Sequence, residues 1–340
     1  MLKLNALIAG STGYIGIQLI KLLIKHKNIN IKYLCGNTSV GKKISFYDSS
    51  LKKKKLPNIV KFHKKYLKDI DIIFTALPNG EAQEISKNLL KKNTLIDLAA
   101  DFRLQKSSDY FKWYKIKHKA LKNINKSIYS LPEFTGTKIK KYSIIGCPGC
   151  YPTSILLPLI PLIKEKSIYL DNIIIDSKSG YSGAGRNVHK KYKNKNLYQS
   201  LSAYGLGFHR HNSEIEQELN KHTKGKINFI FTPHLTPMFR GILTTMYINL
   251  KPNFSINKIQ SILKKHHKKN VFVKILNTNT FISTNDVINS NNCYISINRT
   301  KYKNKLIILS AIDNLIKGGA GQAIQNMNIK FDFKHSEGLK

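Results

Sequence analysis

Two cysteines three positions apart, Cys147 and Cys150, bracket a Pro-Gly step in the stretch IIGCPGCYPTS at 144–154. Such a pair can form a redox dithiol, half of a metal site, or one nucleophile beside a cysteine that only packs. A structural zinc site needs about four ligands, and the other cysteines, Cys35 and Cys293, have no paired spacing. A thioredoxin-like dithiol occurs in a much smaller fold. We therefore favour a single nucleophile and expect no metal.

Cys150 is the better candidate for this nucleophile, because the apolar run that follows it predicts a helix beginning at or near this residue. The N-terminus of a helix stabilises a thiolate and can also stabilise an oxyanion. Cys147 ends the preceding strand-like run, and we expect it to pack in the core.

A thiol nucleophile needs a base, and the stretch FHRHNSEIEQEL at 208–219 supplies two histidines, His209 and His211, just before a predicted helix. Two histidines in three residues, between a glycine and an acidic helix start, favour a functional site over a surface position. His234, in TPHLTP, is a further candidate.

A glycine-rich loop near the N-terminus, GSTGYIG, lies between a predicted strand and a predicted helix. Its glycines allow a tight turn and let backbone N–H groups approach a pyrophosphate. The next strand ends in CGNTSVGKK, without the acidic residue that holds the ribose in NAD-binding domains. Asn37, Thr38, Lys42 and Lys43 can hold a 2′-phosphate instead, so NADP is the predicted cofactor. The candidate cofactor-binding residues of the loop are Gly10, Ser11, Thr12, Gly13, Tyr14, Ile15 and Gly16.

A cysteine nucleophile together with a nicotinamide site indicates a narrow class of chemistry. The thiolate can form a covalent acyl-enzyme while the nicotinamide handles the hydride. This combination suits the interconversion of an aldehyde with an acyl phosphate or a thioester.

The elements that must position these residues change in type near residue 149. Strands predicted at 4–10, 29–36, 69–78, 93–101 and 141–148 alternate with helical segments, which predicts a parallel sheet with helices on both faces. After Cys150 comes a helix, and most later strands follow one another directly, which predicts an antiparallel or mixed sheet. Residues 317–329 are predicted to form a last helix, which begins with small residues.

The formal net charge of +38 would normally suggest nucleic-acid binding. However, only five of the 57 basic residues Lys and Arg are arginine, and the lysines are spread along the whole chain. Solvated lysine-rich faces explain this charge better, so no nucleic-acid partner is expected. No stretch of about 18 apolar residues suggests a membrane span, and four cysteines indicate no disulfide framework. We expect a cytoplasmic protein.

Several motifs in order resemble the N-acetyl-gamma-glutamyl-phosphate reductases of arginine biosynthesis, within the wider semialdehyde dehydrogenase group. The resemblance covers nearly the whole chain. Its motifs are GSTGYIG (10–16), ALPNGEA (76–82), DLAADFRL (97–104), YSLPEF (129–134), PGCYPTS (148–154), SGYSGAGR (179–186), HRHNSEIEQ (209–217), FTPHLTPMFRGI (231–242) and DNLIKGGAGQAIQNMNI (313–329). One departure is Asn79, where the family often has histidine.

The resemblance implies a Rossmann-type NADP-binding domain over residues 1–149, completed by a C-terminal helix at 317–340. It implies an α+β catalytic and oligomerisation domain with a mixed sheet over 150–316. It also implies that Cys150 is the catalytic cysteine and that a histidine of the HRH motif is the acid/base. We favour His211 for this role over His209.

The scarce arginines are candidates for binding an anionic substrate, because a planar guanidinium suits carboxylate and phosphate. Arg186, near Ser179 and Ser182, is expected at the phosphate, and Arg103 and Arg210 are candidates for the carboxylate. The further candidates are Glu133 for the substrate amide, and Gly183 and Asn314 for the cofactor.

Three alternatives remain at this point. The first is a related acyl-phosphate reductase, acting on an aminoadipyl phosphate in lysine synthesis or on aspartate semialdehyde. The second is a non-catalytic NADP-binding sensor, against which Cys150, His209 and His211 argue. The third is a nucleic-acid-binding protein. The expected partners are a small-molecule substrate and further copies of the chain in a homodimer or homotetramer.

Overall fold

The computed structural model describes residues 3–186 and 198–339. The chain divides into two compact units. The first comprises the residues up to Pro148 together with those from Gly319 onwards, and the second comprises Gly149–Gly318.

The first unit contains a sheet of seven parallel strands in the order β3-β2-β1-β4-β5-β7-β6. Apolar runs such as Ala6–Ala9 are buried throughout, as expected for parallel strands covered on both faces. The strands are β1 (Leu4–Ala9), β2 (Ile29–Cys35), β3 (Ile59–Val60), β4 (Ile72–Thr75), β5 (Thr94–Asp97), β6 (Ser127–Tyr129) and β7 (Ile144–Gly146). The helices between them are α1 (Tyr14–Leu23), α2 (Glu81–Ser86), α3 (Ser107–Tyr114), α4 (Leu121–Ile124) and α5 (Pro132–Thr135).

The second unit contains a mixed sheet of seven strands in the order β12-β13-β14-β11-β8-β10-β9. β8 pairs in parallel with β10 and antiparallel with β11. The strands are β8 (Ile173–Gly180), β9 (Ser202–Ala203), β10 (Phe229–Thr236), β11 (Ile242–Asn249), β12 (Val273–Ile275), β13 (Cys293–Arg299) and β14 (Lys305–Ile312). The helices are α6 (Cys150–Lys164), α7 (His211–Asn220) and α8 (Ile256–His267).

One face of the mixed sheet is covered by α6, which is buried from Tyr151 to Ile163. Ser154 of this helix hydrogen-bonds Thr244 of β11, and Thr244 bonds Ser177 of β8. The other face carries large apolar side chains that are exposed in the described part of the chain: Ile174, Ile230 and Tyr247. These three residues pair across β10, β8 and β11 and therefore share one face.

The last helix, α9 (Gly321–Lys330), belongs to the first unit, where it contacts α1, α5 and β5. It begins four residues later than predicted, because Ile316–Ala320 form a wider π-helical turn. The predicted fold class is confirmed, with one parallel and one mixed sheet. Among the described residues, no helix has the length and apolar character needed to cross a membrane.

Candidate active site

Cys150 is the first residue of α6, and its side chain is partly buried. Gly149 precedes it as the N-cap and offers no side-chain hydrogen bond to the helix start. The first N–H groups of α6 are therefore not satisfied by a capping side chain. The backbone of Gly318 lies against the cysteine, since a Cβ added there would be 2.6 Å from Cys150 Cβ. Only glycine fits at that position without a shift.

Cys147 has a different environment from Cys150, although both are free thiols. It is 1% exposed, and burial raises the pKa of its thiol to about 12. Its sulfur lies 3.6 Å from the Asn326 amide nitrogen of α9. A buried thiol of this kind stays protonated and unreactive at neutral pH.

His211 and Glu214 lie beside the start of α6. A Cβ added to Gly149 would be 2.4 Å from His211 Nε2, so the imidazole lies directly against this backbone. Glu214 is fully buried, and its Oε2 accepts a hydrogen bond from the Gly149 N–H at 2.9 Å. Its Oε1 lies 3.7 Å from His211 Nε2. Glu214 thus holds both the residue before Cys150 and the histidine.

Glu214 was not among the residues that the sequence motifs indicated. The available signal was its spacing, because residues three apart on a helix share a face. His211 and Glu214 are related in this way in the first turn of α7.

His209 is enclosed by three aromatic side chains, with ring centroids 5.6 Å away at Tyr151, 5.4 Å at Tyr204 and 5.5 Å at Phe231. Burial, and then the charge of Arg210, lower the pKa of His209 to about 4. The ring is therefore neutral at pH 7. Its Nδ1 accepts a hydrogen bond from the His211 backbone N–H at 3.2 Å.

The structure brings His209 and His211 together, with ring centroids 4.7 Å apart. His234 does not join them through its side chain, which lies on the uncovered sheet face with Nδ1 2.9 Å from Asp176 Oδ1. Only the backbone of His234 reaches this cluster, where its carbonyl oxygen accepts a hydrogen bond from the Tyr151 hydroxyl at 3.1 Å.

A second cluster in the same unit joins the SGYSGAGR segment to Asn314. The Asn314 amide donates to Ser182 Oγ at 2.9 Å, and its oxygen accepts from the Gly241 N–H at 2.7 Å. A Cβ added to Gly183 would lie 3.3 Å from Ser179 Oγ. Ser179, Gly183 and Asn314, all predicted site residues, are therefore neighbours.

The arginines of the second unit have unlike surroundings. Arg186 and Arg210 are exposed. Arg240, by contrast, lies with Nε 3.2 Å from Asp313 Oδ2 and also hydrogen-bonds Asn289. Arg240 is thus held by an internal ion pair.

Two predicted substrate-binding residues belong to the first unit. Arg103 is 8% exposed and donates to the Leu98 carbonyl oxygen at 2.9 Å. Nearby, burial, and then the charge of Asp101, raise the pKa of Asp97 to about 7, although Thr75 and Arg103 oppose this shift. Glu133 accepts a hydrogen bond from the Gln325 amide of α9 at 2.9 Å.

The glycine-rich loop of the first unit has the geometry that the motif predicts. Gly10 has a φ of +82°, and a Cβ there would lie 2.2 Å from the Ala76 carbonyl oxygen. A Cβ on Gly16 would lie 2.2 Å from the Gly10 carbonyl oxygen. Gly13 is the N-cap of α1 and gives it no side-chain cap, so N–H groups at this helix start can meet a phosphate. The Ser11 hydroxyl instead donates to the Cys35 carbonyl oxygen at 3.1 Å.

A pocket of about 320 Å³ adjoins this loop at the carboxyl ends of β1 and β2. Asn37 is part of its lining, whereas the neighbouring Thr38 is not. The lining residues are Ala9, Gly10, Cys35, Gly36, Asn37, Lys61, Phe62, Leu77, Glu81, Glu84, Ile85 and Asn88. This region fits a dinucleotide for three reasons: its glycines leave no room for a Cβ, its helix start has no capping side chain, and its pocket is partly apolar.

Comparison with known proteins gives two family matches. Residues 5–142 match the NAD binding domain of semialdehyde dehydrogenase, and residues 150–314 match the semialdehyde dehydrogenase dimerisation domain. The fold and these matches define the class of protein, a semialdehyde dehydrogenase.

Curated relatives narrow this class. An N-acetyl-gamma-glutamyl-phosphate reductase of Thermoanaerobacter pseudethanolicus is 43% identical over 98% of this chain and 96% of its own length. One from Campylobacter jejuni subsp. doylei is 42% identical over 100% of this chain and 98% of its own. The chain belongs to the N-acetyl-gamma-glutamyl-phosphate reductase family.

Solved structures share the fold at lower identity. Aspartate semialdehyde dehydrogenase II of Vibrio cholerae, complexed with ASA, has a TM-score of 0.71 at 14% identity, covering 98% of this chain and 99% of that one. The Candida albicans aspartate semialdehyde dehydrogenase, with NADP, has a TM-score of 0.67 at 17% identity, covering 96% and 98%.

Proposed function

We propose that this protein reduces N-acetyl-gamma-glutamyl phosphate with NADPH, giving N-acetylglutamate 5-semialdehyde and phosphate in arginine biosynthesis. Near-full-length relatives of that name support the substrate. The observation that carries the chemistry is the thiol of Cys150, which lies at an uncapped helix start beside a histidine and a buried carboxylate.

The proposed nucleophile is Cys150. The start of α6, where Gly149 provides no capping side chain, places the positive end of the helix dipole at Cys150 and favours the thiolate over the thiol. The N–H groups of this helix start can donate to the carbonyl oxygen of a bound acyl group as negative charge develops on it. Cys147 has neither feature, because it is buried and lies on the strand side of Pro148.

We assign the acid/base role to His211 and a positioning role to His209. His211 lies against Gly149 and beside the Glu214 carboxylate, which favours an imidazolium after the thiol proton has been taken up. His209 is neutral, and its Nδ1 already accepts the His211 N–H. The enclosed ring of His209 therefore fixes the backbone from which His211 acts.

The reaction follows from these roles. His211 takes the thiol proton, and Cys150 Sγ attacks the acyl carbonyl carbon. The bond from that carbon to the phosphate oxygen breaks, and a thioester remains on Cys150. The imidazolium of His211 passes its proton to the departing phosphate. NADPH, when bound, supplies the hydride that reduces this thioester. The thiohemiacetal anion that the hydride produces collapses to the aldehyde as its carbon–sulfur bond breaks, and a proton from solvent then restores the Cys150 thiol through His211.

The predicted cofactor-binding loop at residues 10–16 and Asn37 are proposed to hold NADPH. The positive φ of Gly10 and the close packing of Gly16 support a tight turn for the pyrophosphate. The absence of an acidic residue after β2 supports the phosphorylated cofactor. Thr38 is proposed only as a neighbour of this pocket. Gly183 and Asn314 are proposed to shape the second cluster.

The phosphate and carboxylate of the substrate are proposed to bind residues with positively charged or hydroxyl side chains. Arg186, next to Ser179 and Ser182 in one short segment, is proposed to meet the phosphate. Arg210 and Arg103 are proposed for the carboxylate, and Glu133 for the amide. No substrate anion is assigned to Arg240, because its guanidinium already forms an ion pair with Asp313.

The two parts of the chain are given separate roles. Residues 1–149 with 317–340 are proposed to bind NADP, and residues 150–316 to carry catalysis and self-association in the cytoplasm. The match to a dimerisation domain supports a homodimer or homotetramer. The exposed apolar face of β8, β10 and β11 is the proposed contact surface.

The reverse reaction tests this function. Purified protein is mixed with N-acetylglutamate semialdehyde, NADP and phosphate, and NADPH absorbance is followed. We expect phosphate-dependent NADPH formation that Cys150→Ala abolishes and Cys147→Ala retains. Turnover of aspartate semialdehyde alone would keep the mechanism but show that the substrate is different. An equal loss of activity in both variants would indicate a catalytic dithiol instead of a single nucleophile.

A further inference from the structure

The pocket beside the glycine-rich loop contains one cationic side chain that no motif singled out, Lys61. Its position follows from sheet register. Cys35 of β2 pairs with Val60 of β3, and the Gly36 N–H donates to the Val60 carbonyl oxygen at 3.1 Å. Lys61 therefore emerges beside the Gly36–Asn37 turn, where β2 ends.

We propose that Lys61 binds the 2′-phosphate of the adenosine ribose and thereby selects NADP over NAD. The inference rests on the proposed use of NADPH. In dinucleotide-binding folds the end of the second strand meets the ribose hydroxyls. Here that strand ends at Cys35 without a carboxylate, so nothing in the turn repels a phosphate. An ammonium and the Asn37 amide together supply a charge and hydrogen-bond donors.

The charge of Lys61 is available for this role. Within the described residues, Lys61 takes part in no ion pair and no side-chain hydrogen bond. Lys42, which the sequence also suggested, is placed differently: its ammonium lies 4.7 Å from the centroid of the Phe46 ring. Neither Lys42 nor Lys43 lines the pocket.

The rest of the pocket fixes which end takes the phosphate. In the sheet, β2 and β1 lie between β3 and β4. Lys61 follows β3, whereas α2 follows β4. Glu81 and Glu84 of α2 therefore line the end away from Lys61. The lining also contains apolar side chains that suit an adenine ring: Phe62, Leu77 and Ile85. A doubly charged phosphate is favoured only at the Lys61 end.

The test measures nucleotide binding without catalysis. Isothermal titration calorimetry compares 2′,5′-ADP, which carries the 2′-phosphate, with 5′-ADP, which does not. We expect the wild type to prefer 2′,5′-ADP, and Lys61→Ala to weaken it by about tenfold while leaving 5′-ADP unchanged. Lys61→Arg should retain the preference, because it keeps the positive charge.

Lys64→Ala is the matched control, since Lys64 is an exposed lysine nearby that does not line the pocket. It removes the same charge and should leave both affinities unchanged. A preference that survives Lys61→Ala, or an equal loss in Lys64→Ala, would overturn the role of Lys61 alone. A wild type without any preference for 2′,5′-ADP would overturn NADP use itself, and Lys61's role with it.

Discussion

His209 and His211 differ in environment although only Arg210 separates them. His209 is enclosed by aromatic rings from α6, from the segment after β9 and from β10, and its charged form is excluded. His211, at the start of α7, lies beside the Gly149 backbone and the Glu214 carboxylate. Because His209 Nδ1 accepts a hydrogen bond, its proton lies on Nε2. One ring can thus hold a position while the other exchanges protons.

The lowered pKa of His209 predicts a loss of stability in acid. Below pH 6.5 the unfolded chain binds a proton at this residue that the folded chain does not bind until about pH 4. The stability that the neutral ring contributes to the folded state is therefore complete above pH 6.5 and is lost as the pH falls towards 4. Between pH 7 and pH 5, the free energy of unfolding should fall by about 2 kcal/mol more in the wild type than in His209→Gln.

Urea unfolding at the two pH values measures this difference. Because each protein is compared with itself at the two pH values, the stability that the variant loses through altered packing cancels from the slope of stability against pH. His222, whose pKa burial and then Lys164 and Lys221 lower to about 4, gives an internal comparison. A double variant, His209→Gln with His222→Gln, should flatten the slope further. Identical slopes for wild type and His209→Gln would mean that the folded protein accepts a proton at this ring.

The positions of single residues were predictable from the sequence where a local pattern places them. Cys150 and the histidine pair stand next to helix starts, which a hydrophobic pattern reveals. Glu214, Gly318 and Lys61 were missed because the contacts that place them are distant in sequence. Glu214 contacts Gly149, Gly318 lies against Cys150, 168 positions away, and Lys61 is placed by the register of β2 and β3. Lys61 was further hidden among 52 lysines.

At the scale of elements, the π-helical turn at Ile316–Ala320 sets the space around Cys150, the proposed nucleophile. Such turns frequently occur at functional sites. We expect Gly318→Ala to push Cys150 out of place, because the new Cβ would lie 2.6 Å from Cys150 Cβ and 3.0 Å from its Cα. A displacement of this kind should lower kcat by about 100-fold, with overpacking that costs about 1–3 kcal/mol of stability.

Steady-state kinetics, alkylation of Cys150 by iodoacetamide and thermal unfolding measure these effects together. Gly225→Ala is the control in the same unit, because its Cβ would meet only the ends of the Leu170 and Thr223 side chains. It should leave kcat and the alkylation rate unchanged. Wild-type kcat in a folded Gly318→Ala protein would show that the turn does not constrain the thiol.

Strands were predictable where they lie within a longer apolar run. The three-residue β7 was predicted inside 141–148, but β3, β6 and β9, of two or three residues each, were not predicted. Their pairing depends on neighbours distant in sequence: β3 on β2, β6 on β7 and β9 on β10. The start of α9 was placed at 317 because small residues suit any helix start, whereas the structure has a π turn there.

At the scale of the whole molecule, a net charge of +38 opposes contact between copies of the chain. The proposed self-association therefore depends on apolar area, which the uncovered face of the mixed sheet offers. Ile230 of β10 is 65% exposed on this face and is paired in register with Ile174 of β8, which in turn faces Tyr247 of β11. Exposed apolar groups that adjoin in this way mark interaction surfaces.

We therefore expect Ile230→Lys to dissociate the oligomer, because it places a further positive charge within the apolar contact. Size-exclusion chromatography with light scattering measures the mass, and Phe46→Lys is the control, since Phe46 is 73% exposed in the first unit. Raising the salt concentration should strengthen association of the wild type, because the Debye length falls from about 10 Å at 0.1 M to about 3 Å at 1 M. An oligomer that survives Ile230→Lys would locate the contact elsewhere. An oligomer that dissociates at high salt would mean that ion pairs, rather than this apolar face, hold it together.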